Sequence, residues 1–234
     1  MTNKRGIYMK NMIKKVTLIS TLIIGSFSMS SMALANEYKN TIPVKKEVTQ
    51  EIEDKVLVQQ FLWHKCIHCY KLEESLDKWI EDKPDFIEFE RIPVIWSNSH
   101  AKDARFLNYA KILEKTGKIT ETELTFINNE LFNIVFLKEM EINSKNTFPI
   151  FEKYGVKTVE ELEGLVNSFA IANENKRAKS LTDDYGISGV PMFVVNGKYI
   201  VGFQTLTSGA VNPENLFKTI ENTSKGELEK STKQ

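Results

Sequence analysis

The order of hydrophobic and polar positions along the chain predicts two strand-containing parts with a long helical part between them. Residues 55–62 form a mostly apolar run, which is typical of a buried strand, and residues 87–94 alternate as a second strand does. Residues 70–80 repeat apolar positions at helical spacing. From residue 98 to residue 185 the pattern is helical, and residues 192–201 hold two short apolar runs that predict a pair of antiparallel strands.

Turn and cap signals place the ends of these elements. They are the hairpin dipeptide Asn196-Gly197, the capping boxes Thr120-x-x-Glu123 and Thr158-x-x-Glu161, the helix stops Gly117 and Gly155, and the helix start Asn212-Pro213. Two apolar faces of the helical part are expected to be core: Leu124, Ile127, Leu131 and Val135, and Leu162, Leu165, Val166 and Phe169. Residues 224–234 are expected to form a solvated polar tail.

The first 35 residues have the pattern of a secretory signal peptide. A basic start is followed by an apolar run over residues 16–27 and by small residues that end in Ala33-Leu34-Ala35. An uncleaved membrane anchor is the alternative, but the run is too short and too polar, because a spanning helix needs about 20 mainly apolar residues. We therefore expect cleavage of residues 1–35, which leaves 199 residues outside the cytoplasm.

The formal net charge of zero combines two different parts. The first 35 residues hold five basic residues and no acidic one, so residues 36–234 hold 26 basic and 31 acidic residues and carry a net charge of −5. The net negative charge of this part does not favour nucleic-acid binding, which needs a basic surface. We expect a monomer without a nucleic-acid partner.

Both cysteines of the chain lie in Cys66-Ile67-His68-Cys69, at the junction of a predicted strand and a predicted helix. A disulfide across two residues closes a very small loop, so its stabilising effect is weak and a redox role is favoured. Cys66 lies at or just before the first helical turn, where free N–H groups and the helix dipole favour a thiolate. Cys69, one turn later, is expected to be more buried and to act as the second redox partner. His68 and Lys65 bring positive charge near the Cys66 sulfur.

A metal site is the alternative interpretation of this cluster. Structural zinc needs about four ligands, and the two cysteines with His64 and His68 form a segment too short for good tetrahedral spacing. Covalent haem requires a histidine directly after the second cysteine, where this chain has Tyr70. Soft copper binding stays open, as it does for any exposed cluster of Cys and His.

A second signal lies at Pro191, 122 residues after Cys69. Pro191 opens the first strand of the predicted hairpin, where its missing N–H is tolerated. One interpretation is an ordinary strand-initiating proline. The other is a cis Val190–Pro191 bond that exposes the Val190 backbone for pairing with a substrate segment.

Taken together, these two segments resemble the DsbA family of bacterial periplasmic thiol oxidases. The resemblance is carried by the stretch from Phe61 to Glu74, with its Cys-x-His-Cys-Tyr core, and by Gly189-Val190-Pro191-x-Phe193-Val194-Val195-Asn196-Gly197-Lys198-Tyr199. It covers most of residues 38–222. It implies an α/β thioredoxin fold whose first part, residues 36–96, and second part, residues 186–223, are separated by an all-helical insertion at residues 97–185.

Two positions depart from the family pattern. Ile67 stands where many relatives have a proline after the first cysteine, and the dipeptide between the cysteines tunes the redox potential. Gln60 stands near the place where many relatives carry an acidic residue on the preceding strand. A neutral amide cannot act as a buried proton carrier there.

The resemblance implies an enzyme that introduces disulfide bonds into exported proteins through the redox pair Cys66 and Cys69. No metal or other cofactor is expected. The substrates would be unfolded exported proteins with free thiols in the periplasm, and a DsbB-type membrane protein linked to quinone would reoxidise the enzyme. Two other functions stay open: a disulfide reductase or isomerase of the same fold, and a non-enzymatic thioredoxin-like module that binds copper or a partner.

The remaining site residues follow from the residues around the cysteine pair and from this resemblance. His68 would tune the pKa of Cys66, and Lys65 and Ile67 are further candidates for this tuning. Val190 and Pro191 would position the substrate chain beside the reactive sulfur.

Overall fold

The computed structural model describes residues 38–48, 52, 54–206 and 212–232. The expected signal peptide at residues 1–35 lies outside the described residues. The helices and strands, in chain order, are β1 (Ile42–Pro43), β2 (Val56–Leu62), α1 (Ile67–Asp82), β3 (Ile87–Pro93), α2 (Asn98–Lys115), α3 (Glu121–Phe136), α4 (Ser144–Phe151), α5 (Val159–Val166), α6 (Phe169–Tyr185), β4 (Met192–Val195), β5 (Tyr199–Val201) and α7 (Pro213–Ser231). Short 3-10 helices follow α4 and β5.

The strands form one mixed sheet in the order β1-β5-β4-β2-β3. β2 pairs in parallel with β3 and antiparallel with β4, so it is hydrogen-bonded on both sides. All seven residues of β2 are buried, which explains why its sequence is a nearly unbroken apolar run. The hairpin β4–β5 turns at Asn196 and Gly197, whose φ angles are 51° and 65°. These are the two positive φ angles of the predicted type I′ turn.

Hydrophobic side chains form three clusters, two on the faces of the sheet and one within the helical part. On one face α1 and α7 pack against β2 and β4, with Leu76 and Phe217 among the buried side chains. On the other face α2 and α6 cover the sheet, with Tyr185 at the centre. The third cluster joins α1 to the helices α2–α5, and Cys69 belongs to it. The redox helix is therefore packed between the sheet and the helical part.

The predicted architecture is confirmed, since all the helices from α2 to α6 lie between β3 and β4. Thr120 and Glu123 form the predicted reciprocal capping box at the start of α3. Asn212 caps α7, with Pro213 as its first residue. The strand β1 was not predicted, because two residues give no measurable alternation. Among the described helices, none has the length and apolar character needed to cross a membrane.

The expectation of a polar tail at residues 224–234 is wrong for most of that segment. α7 continues to Ser231, and Ser224 and Glu227 are buried in it. The Glu227 carboxylate accepts hydrogen bonds from Asn196 Nδ2 at 2.9 Å and from Lys198 Nζ at 2.8 Å. A polar composition therefore conceals a buried face, in which the charge of Glu227 is compensated by Lys198 on the hairpin.

The expectation that Phe169 extends an apolar core face is also wrong. Leu162 and Val166 are buried as expected, but the Phe169 side chain is 81% exposed. The helix α5 ends at Val166 and α6 begins at Phe169. The change of helix interrupts the 3.6-residue period, so Phe169 no longer shares the face of the two residues before it.

Candidate active site

The two cysteines lie at the start of α1, directly after the central strand. Cys66 is the N-cap residue, with φ −91° and ψ 111°, and its Sγ accepts a hydrogen bond from the backbone N–H of Cys69 at 3.3 Å. Both cysteines are free thiols in this structure. The prediction that Cys66 immediately precedes the first helical turn is confirmed, although the helix begins earlier than predicted, at Ile67.

The surroundings of Cys66 favour its thiolate. The largest effect is a hydrogen bond from the side chain of Cys69, which outweighs the opposing effect of burial. The backbone N–H groups of Cys69 and His68 and the positive charge of His68 act in the same direction as the Cys69 hydrogen bond. The pKa of Cys66 is lowered to about 6. At neutral pH Cys66 is therefore mostly ionised, which makes it both a nucleophile and a good leaving group.

Cys69 has the opposite character. Its side chain is fully buried within the helical cluster. Burial raises the pKa of the Cys69 thiol far above its ordinary range, and the hydrogen bond to Cys66 and the negative charge of that thiolate raise it further. The pair thus holds one thiolate and one thiol, and only Cys66 is partly open to solvent.

The loop before β4 approaches the reactive sulfur from the other part of the fold. The Val190–Pro191 peptide bond is cis, as one of the two interpretations of the sequence required. Cys66 Sγ lies 3.5 Å from the Val190 carbonyl oxygen. The structure therefore brings together the two segments that are 122 residues apart in the sequence.

A cavity of about 640 Å³ extends from these residues. Its lining is mostly apolar and includes His68, Lys71, Val190, Pro191, Phe203 and Gln204. Phe203 and Gln204 belong to the 3-10 helix after β5 and were not predicted as site residues. No sequence pattern predicts their position, because they lie beside the site only as a result of the path that the chain takes after the hairpin.

The other predicted residues occupy different surroundings. His68 is exposed on the first turn of α1 and lines the cavity. Ile67 is 40% exposed next to the reactive sulfur. Lys65 is held by two carboxylates, Glu141 at 2.7 Å and Asp103 at 3.3 Å. Its positive charge is therefore compensated at this position.

A buried polar network beneath the redox helix was not predicted from the sequence. Its centre is Glu73, which is 3% exposed. Glu73 Oε1 accepts from Gln60 Nε2 at 3.0 Å, and Glu73 Oε2 accepts from Asn128 Nδ2 at 2.8 Å and from Arg91 Nη2 at 3.4 Å. His64, 1% exposed, donates through Nε2 to Asn128 Oδ1 at 3.1 Å. The sequence offered one signal for this network: Glu73 lies at helical spacing on the face of α1 that is otherwise formed by Cys69, Leu72, Leu76 and Ile80.

No metal cluster is formed by the part of the chain that the structure describes: no three His, Cys, Asp or Glu side chains there are placed to hold an ion. His64 faces Asn128 and the ring of Phe132, and its burial lowers its pKa to about 4. His64 is thus a neutral residue of the core, and its ring lies in the polar network described above.

Comparison with known proteins shows similarity to one family. The model of the DSBA-like thioredoxin domain matches residues 120–221. The thiol:disulfide interchange protein DsbA of Burkholderia cepacia is 25% identical over 194 residues, which cover 83% of this chain and 88% of that protein. The protein of the same name from Pseudomonas aeruginosa is 28% identical over 189 residues, which cover 78% of this chain and 84% of that protein.

Solved structures give the same result for the fold. A crystal structure of a single-site variant of Pseudomonas aeruginosa DsbA superimposes with a TM-score of 0.66 and 25% identity, over 84% of this chain and 97% of that one. Reduced DsbA1 from Neisseria meningitidis superimposes with a TM-score of 0.64 over 84% of this chain and 96% of that one, at 20% identity. The expected thioredoxin-like fold with its helical insertion is confirmed.

Proposed function

The chain belongs with the DsbA-like thioredoxin-fold proteins, and from this premise we propose that it oxidises pairs of thiols in exported proteins. As a thiol:disulfide oxidoreductase it would pass on the disulfide between Cys66 and Cys69. The observation that carries the proposal is the opposite ionisation of the two cysteines: an accessible Cys66 whose pKa is about 6 beside a buried Cys69 whose pKa is raised. A stabilised thiolate favours the reduced enzyme, and this makes the oxidised enzyme a strong oxidant.

The reaction proceeds through two disulfide exchanges. A substrate thiolate attacks Cys66 Sγ of the oxidised enzyme, so that a mixed disulfide forms and the bond between Cys66 and Cys69 breaks. The second thiolate of the substrate then attacks the substrate sulfur of this mixed disulfide. Cys66 departs with the electron pair as a thiolate, which the N-terminus of α1 and the charge of His68 stabilise. The substrate leaves oxidised and the enzyme reduced.

The substrate chain is positioned by the loop before β4. The Val190 carbonyl lies beside Cys66 Sγ, so an extended substrate segment can pair with the Val190 backbone while its cysteine meets Cys66. Pro191 lines the cavity beside it. The adjoining cavity suits apolar substrate side chains next to the reacting cysteine. An unfolded protein offers such side chains together with a free backbone.

Three residues near Cys66 in the sequence contribute to the site in different ways. His68 tunes the Cys66 pKa by charge and by its backbone N–H. Ile67 adds an exposed apolar surface beside the sulfur. Lys65 would act only indirectly, because Asp103 and Glu141 neutralise it.

We extend the proposal to the compartment and the reoxidising partner. The pattern of residues 1–35 supports export, and a periplasmic location would supply both unfolded substrates and an oxidising environment. A membrane protein of the DsbB type, linked to quinone, would restore the disulfide. Its own disulfide would accept the two electrons from the reduced cysteine pair.

Equilibration with glutathione separates an oxidase from a reductase of the same fold. We expect a reduction potential above the value of about −180 mV typical of protein disulfide isomerase and towards the value of about −120 mV typical of a strong oxidant. The measurement counts free thiols after acid quenching over a range of glutathione ratios. A variant with serine at both cysteine positions gives the background. A potential near about −270 mV would instead identify a reductase.

A further inference from the structure

We propose that the free edge of β3 is a second peptide-binding site, which takes an extended segment of unfolded protein with alternating basic and apolar side chains. The segment lies beside β3 as an added strand of the sheet. The inference rests on the proposed function for the source of this segment, an unfolded substrate protein. The site itself is separate from the cavity beside Cys66.

β3 is an outer strand, and half of its backbone groups point away from the sheet. In the described sheet it pairs with β2 alone, in parallel. The hydrogen bond from the Val56 N–H to the Phe86 carbonyl sets the alternation, so residues 88, 90 and 92 bond to β2. The N–H and C=O groups of Phe89 and Arg91 therefore point outward.

These outward groups have no backbone partner within the part of the chain that the structure describes. An outer strand with free N–H and C=O groups is a template for pairing with another extended chain. Several protein families bind peptides in this way, with main-chain hydrogen bonds for affinity and side-chain contacts for specificity. The edge of β3 thus offers the main-chain half of a peptide site.

A cavity of about 490 Å³ lies along this edge. β3 contributes four consecutive residues, Glu88 to Arg91, and the end of α2 and the start of α3 contribute Glu114, Glu121 and Leu124. The volume falls within the range of about 300–1,000 Å³ that is usual for ligand sites. The cavity shares no lining residue with the one beside Cys66.

The basic groups of this cavity are already paired. Each of the four basic side chains in the lining binds a carboxylate of the protein: Arg91 binds Glu73 and Asp77, Lys111 and Arg177 bind Glu90, and Lys115 binds Glu174. An acidic ligand would have to displace these carboxylates. Arg91 Nε, which is buried, has no hydrogen-bond partner among the described residues and is left for an acceptor that a bound segment brings.

The unbalanced charge of the cavity is negative and lies at Glu114. This residue forms no ion pair with the described residues. Its pKa is raised by burial and by the negative charges of Glu121 and Glu88, which outweigh the opposing charges of Lys115 and Lys111. The three carboxyl groups therefore repel one another, and a lysine or arginine placed between them relieves this repulsion.

The two faces of β3 predict the pattern of the bound segment, because successive side chains of a strand point to opposite faces. Glu90 lies on the face that α2 and α6 cover, since it contacts both helices. Phe89 lies on the opposite face together with Arg91, which contacts α3. An added strand alternates in the same way, so its basic side chains point towards Glu114 and its apolar side chains towards Phe89 and Leu124.

The test measures binding of a short cysteine-free peptide of alternating valine and lysine, labelled with a fluorophore at its N-terminus. Fluorescence anisotropy gives the dissociation constant for the reduced wild-type protein. We expect saturable binding that weakens as the salt concentration rises. A matched peptide of alternating valine and glutamate should bind at least about tenfold more weakly, because it brings like charges to the three carboxylates.

Two pairs of variants place the peptide on β3. Phe89→Pro removes the outward N–H and leaves the bonds to β2, and Phe89→Ala removes the same ring but keeps the N–H. We expect binding to Phe89→Pro to be about tenfold weaker than binding to Phe89→Ala. Glu114→Gln should weaken binding about three- to tenfold, whereas Glu160→Gln, at an exposed carboxylate of α5, should bind as the wild type does.

The outcomes are distinct. Equal binding to Phe89→Pro and Phe89→Ala, or binding unchanged by Glu114→Gln, would overturn the site; a peptide held beside Cys66 would give this result. Binding of neither peptide to the wild type would overturn it as well, and would show that the charges only protect the edge from pairing. If circular dichroism shows that Phe89→Pro does not fold, the comparison of Glu114→Gln with Glu160→Gln decides. Failure of the proposed function appears separately, as a low reduction potential of the wild-type protein, since the peptides contain no thiol.

Discussion

Serine at position 66 will abolish thiol oxidation, whereas serine at position 69 will leave a protein that accumulates as a mixed disulfide with its substrate. In a glutathione buffer with a reduced, unfolded protein, the Cys66→Ser variant should show only the uncatalysed rate. The reason is accessibility: Cys66 is the partly exposed thiolate at the helix N-cap, and Cys69 is fully buried. In Cys69→Ser the sulfur whose attack on Cys66 would return the substrate in its reduced form is missing, so the mixed disulfide persists until the second substrate thiol reacts.

The two variants serve as controls for each other, because each removes one sulfur from the same helical turn. The covalent complex is measured by non-reducing electrophoresis after alkylation and should disappear on reduction. We expect most of the Cys69→Ser protein in such complexes and none of the Cys66→Ser protein. Complexes formed through Cys69 in the Cys66→Ser variant would show that the order of the two cysteines is reversed.

The reduced protein will resist denaturant better than the oxidised protein, and the difference will depend on pH. The folded-state pKa of Cys66 is about 6, below the value of about 8.5 for an unperturbed cysteine. The stability that this shift contributes is therefore fully present above about pH 8.5 and is lost as the pH falls through about 6. Cys69 has a raised pKa, so its contribution is present below about pH 8.5 and is lost above it.

Both contributions favour the reduced form between about pH 6 and pH 8.5. Solvent screens the charge of Cys66. We therefore expect the free energy of unfolding of the reduced form, relative to that of the oxidised form, to fall by ~1–2 kcal/mol from pH 8 to pH 5. Urea unfolding of both forms at several pH values measures it. A variant with serine at both positions should lose this dependence. An oxidised form that is the more stable one across this range would indicate a reductant.

The chemistry of the site could be predicted from the sequence because its main parts are local. A cysteine at the junction of a strand and a helix must meet free N–H groups, whatever the rest of the fold. The hairpin could be predicted because Asn196 and Gly197 are residues that tolerate the two positive φ angles of a type I′ turn. At Gly197 an added Cβ would overlap the Val48 carbonyl oxygen, so glycine is required there for packing as well.

The parts that could not be predicted depend on contacts between distant segments. Glu73 is buried because Gln60, Arg91 and Asn128 converge on it from two strands and the helical insertion. Lys65 forms ion pairs with Asp103 and Glu141, which lie 38 and 76 residues away in the sequence. Hydrophobic periodicity contains no information about such partners, because each of them is a polar residue that could equally lie on the exposed surface.

The most direct test of the proposed function is to count the disulfide bonds that the oxidised protein passes to a reduced, unfolded protein with two free thiols. The reaction contains no other oxidant, and thiols on both proteins are counted after acid quenching and alkylation. We predict that one disulfide forms in the substrate for each molecule of oxidised protein, which ends with Cys66 and Cys69 both reduced. An oxidised protein that retains its disulfide while the substrate thiols stay free would contradict the proposal.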